Sequence, residues 1–204
     1  MKLTWCGHFC FLLESRSGSV VFDPYAPGSV PGLVLPTLRA DAVICSHEHA
    51  DHFYPEGVEL SGRKPDFEIR QFDCWHDDVK GAKRGKNMMT LVETDGLRVL
   101  HMGDLGHMLS PEQLAALGRV DVLLIPVGGF YTIDARQAAE LAAKIAPAVT
   151  VPMHYRGDGF GYDVIAPVGD FLRLMDNVVM LDDNVIEPEK LAAPVVAVPK
   201  CPRG

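Results

Sequence analysis

The 204-residue sequence has no run of about 18 apolar residues, so no helix of it is expected to cross a membrane. Its opening stretch, Met1 to Glu14, is spotted with polar side chains and lacks a small-residue cleavage site, so it does not read as a signal peptide. Basic residues are in deficit, 19 Lys and Arg against 27 Asp and Glu, giving a net charge of -8. That balance argues against the basic face a nucleic-acid binder needs. The five cysteines are odd in number and form no C-x-x-C pair. Reduced thiols in a cytoplasmic protein are the simplest expectation. Internal repeats and low-complexity tracts are absent. What remains, 48% hydrophobic and 23% charged, suits one globular domain with a sizeable core. A small molecule is the expected partner; a homo-oligomer is allowed and not required.

The pattern along the chain begins with strands. Lys2 to Glu14 is apolar, Ser15-Arg16-Ser17-Gly18 is turn chemistry, and Ser19 to Phe22 is β-rich, which together predict a hairpin. Tyr25 to Pro36 is rich in proline and predicts a loop. Further strands are expected at Ala42–Cys45, Phe67–Phe72, Met89–Glu93 and Leu97–Met102, the last two joined by Thr94-Asp95-Gly96. Ser110 followed by Pro111 and Glu112 predicts a helix start, and Gly118 its end. Strands at Val120–Val127 and Ala148–Met153 flank a helix that opens on an Asp134–Gln137 capping box and stops at Pro147. A short helix near Phe171–Met175 and a strand at Val178–Leu181 follow. Residues 1–187 read as one domain, and 188–204, which holds four prolines, as a loosely held tail.

Three of these strands run into potential metal ligands. Ala42–Cys45 leads to Ser46-His47-Glu48-His49-Ala50-Asp51-His52, Val99–Met102 leads to Gly103-Asp104, and Val149–Pro152 leads to His154. A fourth group, Asp73-Cys74-Trp75-His76-Asp77, follows the Phe67–Phe72 strand. Polar residues just beyond rigid strands are held in place at a cleft. In an extended backbone i and i+2 project to one side, so His47 and His49 can share one cation while Asp51 and His52 turn to another. Imidazole and carboxylate donors suit Zn²⁺, and also Mn²⁺ or Fe²⁺.

These motifs, with Gly7-His8, Phe22-Asp23-Pro24, Gly103-Asp104-Leu105-Gly106-His107 and Pro152-Met153-His154, resemble the metallo-β-lactamase superfamily. Within it the chain is similar to small Zn-dependent hydrolases related to ascorbate-6-phosphate lactonase. The resemblance covers residues 7 to 155. It implies an α/β fold, an αββα sandwich, with a dinuclear centre at one edge of the sheets. It assigns one cation to His47, His49 and His76 and the second to Asp51, His52 and His154, with Asp104 bridging. It implies a hydrolase in which metal-bound hydroxide attacks a small polar substrate, anionic ones included: an ester, lactone, amide or phosphodiester. Asp51 or Asp104 would orient the nucleophile. His107, three residues after Asp104, is the candidate for proton transfer. Gly129 and Tyr131, between a strand and a helix, and Tyr155 and Arg156, beside His154, are the candidate substrate contacts. His8 reads as a contact of the site or a support behind it, and His101 as structural. The competing readings are a metal-binding protein without turnover and a nuclease-type phosphodiesterase, the latter disfavoured by the charge.

Overall fold

The computed structural model describes residues 1–202. The chain begins with β1 (Lys2–Gly7), β2 (Cys10–Ser15), β3 (Gly18–Phe22), β4 (Leu38–Ala40), β5 (Ala42–Ile44) and β6 (Val58–Leu60). Next come β7 (Glu68–Trp75), β8 (Lys86–Thr94), β9 (Leu97–His101), α1 (Pro111–Leu117), β10 (Val122–Pro126), α2 (Ala135–Ile145) and β11 (Val149–Met153). The last elements are α3 (Gly169–Leu172), β12 (Val178–Met180), β13 (Val185–Ile186) and β14 (Val195–Val198). A five-stranded sheet runs β13-β1-β2-β3-β5, and a seven-stranded sheet runs β12-β14-β11-β10-β9-β8-β7. Short parallel strands β4 and β6 form a separate ribbon. This is the expected sandwich of two sheets.

Period-two alternation decides which side chains face inward. Trp5, Phe11, Leu13, Val20 and Phe22 of the smaller sheet pack on Val92, Val99, Val122, Leu124 and Val151 of the larger. The intervening Cys6, Cys10 and Val21 point the other way and are covered by Tyr25, Val30, Leu33 and the β4–β6 ribbon. The outer cover on that side is therefore the proline-rich loop and a ribbon. In the larger sheet β9, β10, β11, β14 and β12 are parallel neighbours. Their near-continuous apolar sequences follow from burial on both faces. Both predicted helix starts are capping boxes: Ser110 with Gln113, and Asp134 with Gln137.

Two expectations need correction. Lys2–Glu14 is not one strand of a hairpin but a hairpin in itself, because the chain reverses at His8-Phe9 between β1 and β2. Gly7 takes φ +101° there, a left-handed conformation that a side chain resists, and the Trp5 indole N–H donates to the His8 carbonyl at 3.1 Å. The turn thereby puts His8 at the edge of the sandwich. The 188–204 segment is not a loose tail either. Val195–Val198 is buried and inserted between β12 and β11. Its four-residue apolar run, bounded by Pro194 and Pro199, is long enough to fill a central position in a short-stranded sheet. The last two residues of that segment lie outside the described residues. Among the described residues no helix is long and apolar enough to cross a membrane.

Candidate metal centre

Four chain segments meet at the ends of β5, β7, β9 and β11. The loop after β5 carries His47, His49, Asp51 and His52; His76 follows β7 directly, Asp104 lies just past β9, and His154 follows β11. His47 Nε2 and His49 Nδ1 are 2.9 Å apart. Asp104 Oδ2 is 2.8 Å from His76 Nε2, 3.3 Å from His52 Nε2 and 3.8 Å from His47 Nε2. Three groups could each hold an ion with donor atoms within 4.8 Å of one another: His47–His49–His76, His47–His52–Asp104, and His8–Asp51–His52. The sequence reading assigned the last position to His154 rather than His8. His154 is close by, its ring centroid 4.9 Å from that of His8.

The surroundings fix each donor. Asp23 accepts from the Ser46 N–H and the Ser46 hydroxyl, both at 2.7 Å, and from His52 Nδ1 at 2.8 Å. That bond leaves His52 Nε2 turned toward Asp104. His8 Nε2 lies 3.2 Å from Asp51 Oδ2, and the Thr132 hydroxyl is 3.3 Å from His154 Nδ1. Backbone position is fixed just as tightly at His76. Gly106 donates its N–H to the Trp75 carbonyl at 2.9 Å, and a Cβ on Gly106 would lie 2.3 Å from the Asp77 nitrogen. Only glycine lets the loop after β9 press against His76.

Burial and charge set the protonation states. Burial first, then the charge of His52, pushes the His47 imidazole down to about 3, and burial likewise takes His154 down to about 3. His8 and His49 are lowered too, chiefly by burial. Burial works against ionising Asp104, but the charge of His52 beside it and the hydrogen bond from His76 outweigh it and hold the carboxyl well below its usual range. Burial likewise opposes ionising Asp51 and is outweighed by the His8 hydrogen bond and the charge of His52. Burial would lower His52, yet Asp104 and Asp23 on either side raise it well above the ordinary imidazole value. Neutral imidazoles and ionised carboxylates are the forms that ligate cations, so a cation at this centre would take the place of the proton on His52.

A direct test of fit comes from buried atoms without partners. His52 Nε2, Asp104 Oδ1 and His154 Nε2 are buried and accept or donate no hydrogen bond, although buried polar atoms are nearly always satisfied. All three belong to residues the sequence singled out as ligands. The donor set is nitrogen and oxygen, suited to Zn²⁺, Mn²⁺ or Fe²⁺. The residues present therefore fit a metal.

The other sequence candidates divide. A cavity of about 310 Å³ opens over the ligands and is lined by His49, Asp51, His76, Asp104, Tyr131, Tyr162 and Arg84. Tyr131 is thus at the site, and its carbonyl also accepts from His76 Nδ1 at 3.2 Å. Gly129 is not an anion holder, because its N–H donates to the Ile133 carbonyl and its carbonyl accepts from Tyr131. Tyr155 is buried with its ring against Trp5 and Phe160 in the core, and Arg156 is exposed with Nε on the Ile165 carbonyl. Neither lines the cavity. The expected proton-transfer role of His107 also meets an obstacle. Its Nε2 accepts from the Trp75 N–H at 3.2 Å and its Nδ1 donates to the Met108 carbonyl at 2.9 Å, so both nitrogens are used by backbone. His101 is structural, as expected, with Nε2 on the Phe9 carbonyl. Sequence reasoning missed Tyr162, whose hydroxyl lies 2.7 Å from the Ser29 carbonyl and 3.3 Å from Asp51 Oδ2. It lies in the glycine-rich loop after β11, which carries no motif.

Fold and site together define a class: an α/β two-sheet sandwich that carries a nitrogen-and-oxygen metal centre at one edge. Comparison with known proteins narrows it. The model of the β-lactamase superfamily domain matches residues 2–154. A UPF0173 protein of Pyrococcus furiosus is 30% identical over 181 residues, which span 76% of this chain and 83% of that one. A UPF0173 metal-dependent hydrolase of Archaeoglobus fulgidus is 30% identical over 194 residues with the same coverage, 76% and 83%. A solved Thermotoga maritima structure, described as a candidate Zn-dependent hydrolase of the metallo-β-lactamase superfamily, superposes with TM-score 0.80 at 34% identity, covering 98% of this chain and 99% of that one. The chain belongs to the metallo-β-lactamase superfamily and, within it, to the UPF0173 metal-dependent hydrolases.

Proposed function

We propose that the protein hydrolyses a small polar substrate (an ester, lactone, amide or phosphodiester) at a centre of two divalent cations, Zn²⁺ first among the candidates. His47, His49 and His76 would hold one cation and Asp51, His52 and His154 the other, with Asp104 between them. The observation that carries this reading is the trio of buried, unpartnered atoms on His52, Asp104 and His154. When bound, such cations polarise the electrophile and bring the pKa of water toward neutrality.

The chain's own residues do the rest. Asp23 holds His52 by its Nδ1 so that the other nitrogen faces Asp104. This is the carboxylate–imidazole pairing that orients metal ligands. His8 and Tyr162 approach the same oxygen of Asp51 and restrict its swing. Tyr131 and Tyr162 wall the cavity, with ring centroids 5.8 Å apart, and narrow the space over the ligands. A volume of about 310 Å³ is near the lower end of small-molecule sites, which supports a small substrate over a polymer. A reducing, cytoplasmic setting is supported by the absence of disulfides among the described residues.

The test is metal analysis of the purified chain, then a screen over lactones, phosphodiesters and thioesters. Two equivalents of metal with turnover of at least one class is the expected result. Two equivalents with no turnover of any class would favour the metal-binding reading, and less than one equivalent would sink both.

A further inference from the structure

Arg84 stands on the wall of the cavity, facing the ligand residues. It also lines an adjoining cavity of about 410 Å³ beside Glu48 and Lys86. Its side chain is half-buried and braced. One nitrogen, Nη2, donates to the Phe130 carbonyl at 3.1 Å, and the guanidinium carbon sits 5.4 Å from the Tyr131 ring centroid. The loop behind it is closed around one carboxylate. Asp77 Oδ1 accepts from the N–H groups of Val79 and Gly81, and Oδ2 from those of Lys83 and Arg84, at 2.7–2.9 Å. An arginine held this firmly loses little freedom when a ligand arrives.

The guanidinium has spare donors and no charge partner. Of its five N–H groups, one meets Phe130, and no carboxylate forms an ion pair with it among the described residues. It also stands beside residues that fit divalent cations. Placing another positive charge there is unfavourable by itself and becomes favourable only when an anion lies between. The planar fork of arginine matches the paired oxygens of a carboxylate or phosphate. Elsewhere the chain is acidic, net -8.

We propose that Arg84 anchors a negatively charged group of the substrate. The substrate is then a small hydrolysable compound that also carries a carboxylate or phosphate. Its charged end lies on Arg84 above the Tyr131 ring, and its scissile bond over Asp104. This rests on the hydrolase reading for the second half only; the anion site stands on Arg84 itself.

The experiment uses the full chain loaded with zinc. Calorimetric titrations with succinate and with inorganic phosphate are compared for the wild type, Arg84→Gln, Arg84→Lys and Lys83→Gln. Lys83 is an exposed residue of the same loop, paired with Asp78, and controls for general charge. In parallel, turnover of 4-nitrophenyl hydrogen succinate is compared with that of neutral 4-nitrophenyl acetate. Arg84→Gln should weaken binding of at least one anion by about 10- to 100-fold, the worth of charge-assisted hydrogen bonds. It should raise KM for the charged ester by a similar factor and leave the neutral ester nearly unaffected. Arg84→Lys should recover part of both, and Lys83→Gln should change neither. The stronger of the two titrations says which oxyanion the site takes. Unchanged affinity for both anions in Arg84→Gln, or equal loss on both esters, would overturn the proposal. Arg84-dependent anion binding with neither ester cleaved by the wild type keeps the anchor and counts against the hydrolase reading alone.

Discussion

Two buried carboxylates at different places on the molecule behave in opposite ways. Asp41, just before β5, is fully satisfied. Its Oδ2 accepts from the Ser19 N–H at 2.9 Å and from Arg63 Nη2 at 3.2 Å, and its Oδ1 from Arg63 Nε at 3.1 Å and from the Ser61 hydroxyl. Asp104, just past β9, has Oδ2 approached by His76 and His52, while Oδ1 has no partner. Both are shielded from water and both have lowered pKa values. The difference is what their environments leave over. Around Asp41 every lone pair is spent on latching β3 to the loop after β6, whereas around Asp104 donor atoms are gathered and left open. A satisfied polar cluster holds a fold together, and an unsatisfied one persists because something else completes it.

The sharpest way to break this contrast is at Asp104. Asp104→Asn should cut bound metal and turnover by more than about 100-fold, beyond the range seen when residues behind metal ligands are changed. Added zinc should raise the wild-type melting temperature, since a ligand at 100 times its Kd stabilises by about 2.7 kcal/mol, and that increment should vanish in the variant. An Asp104→Asn chain that still gains stability from zinc would end the argument. Next is Asp23→Ala, which frees His52 from its orientation. It should lower metal affinity or activity by about 10- to 100-fold with the ligands all intact, as measured by competition with a chelator.

His107 gives a smaller, different effect. His107→Ala leaves the Trp75 N–H without its acceptor, so stability should drop by about 1–3 kcal/mol in urea unfolding while turnover per bound metal holds. A specific loss of turnover would restore a role in proton transfer.

Smallest for function is Asp41→Asn. Metal content and activity should match the wild type, while stability changes with pH. Hydrogen bonds from Ser61, Ser19 and Arg63 hold the folded Asp41 carboxyl below its ordinary value of 3.8. Its stabilisation is therefore fully present above that value and is lost as the pH falls through the folded one. The variant should be less stable than the wild type near neutrality, and the gap should narrow in acid. A constant gap down to pH 2 would show that Asp41 acts only by shape.

The candidate ligands were legible because their spacing coincides with strand ends: His47 to His52 after β5, Asp104 after β9, His154 after β11. Neighbours of those ligands were misjudged for one reason. Adjacency in sequence was read as adjacency at the site, but a chain leaving a strand turns. His154 itself has φ +52°, and beyond it Tyr155 swings back onto Trp5 in the core. Arg84 and Tyr162 reach the cavity from loops whose composition looks like ordinary surface. Only the fold turns both side chains toward the cavity.

The linear pattern by itself settled the alternation of apolar strands, both helix caps and the donor chemistry, because each depends on a few residues close together. The folded chain alone decided that Val195–Val198 completes the larger sheet, that His8 lies beside Asp51, and that Arg84 overlooks Asp104. Those relations join residues about 20 to 50 positions apart, and they exist only after two sheets have closed on a shared core and fixed where each strand stops.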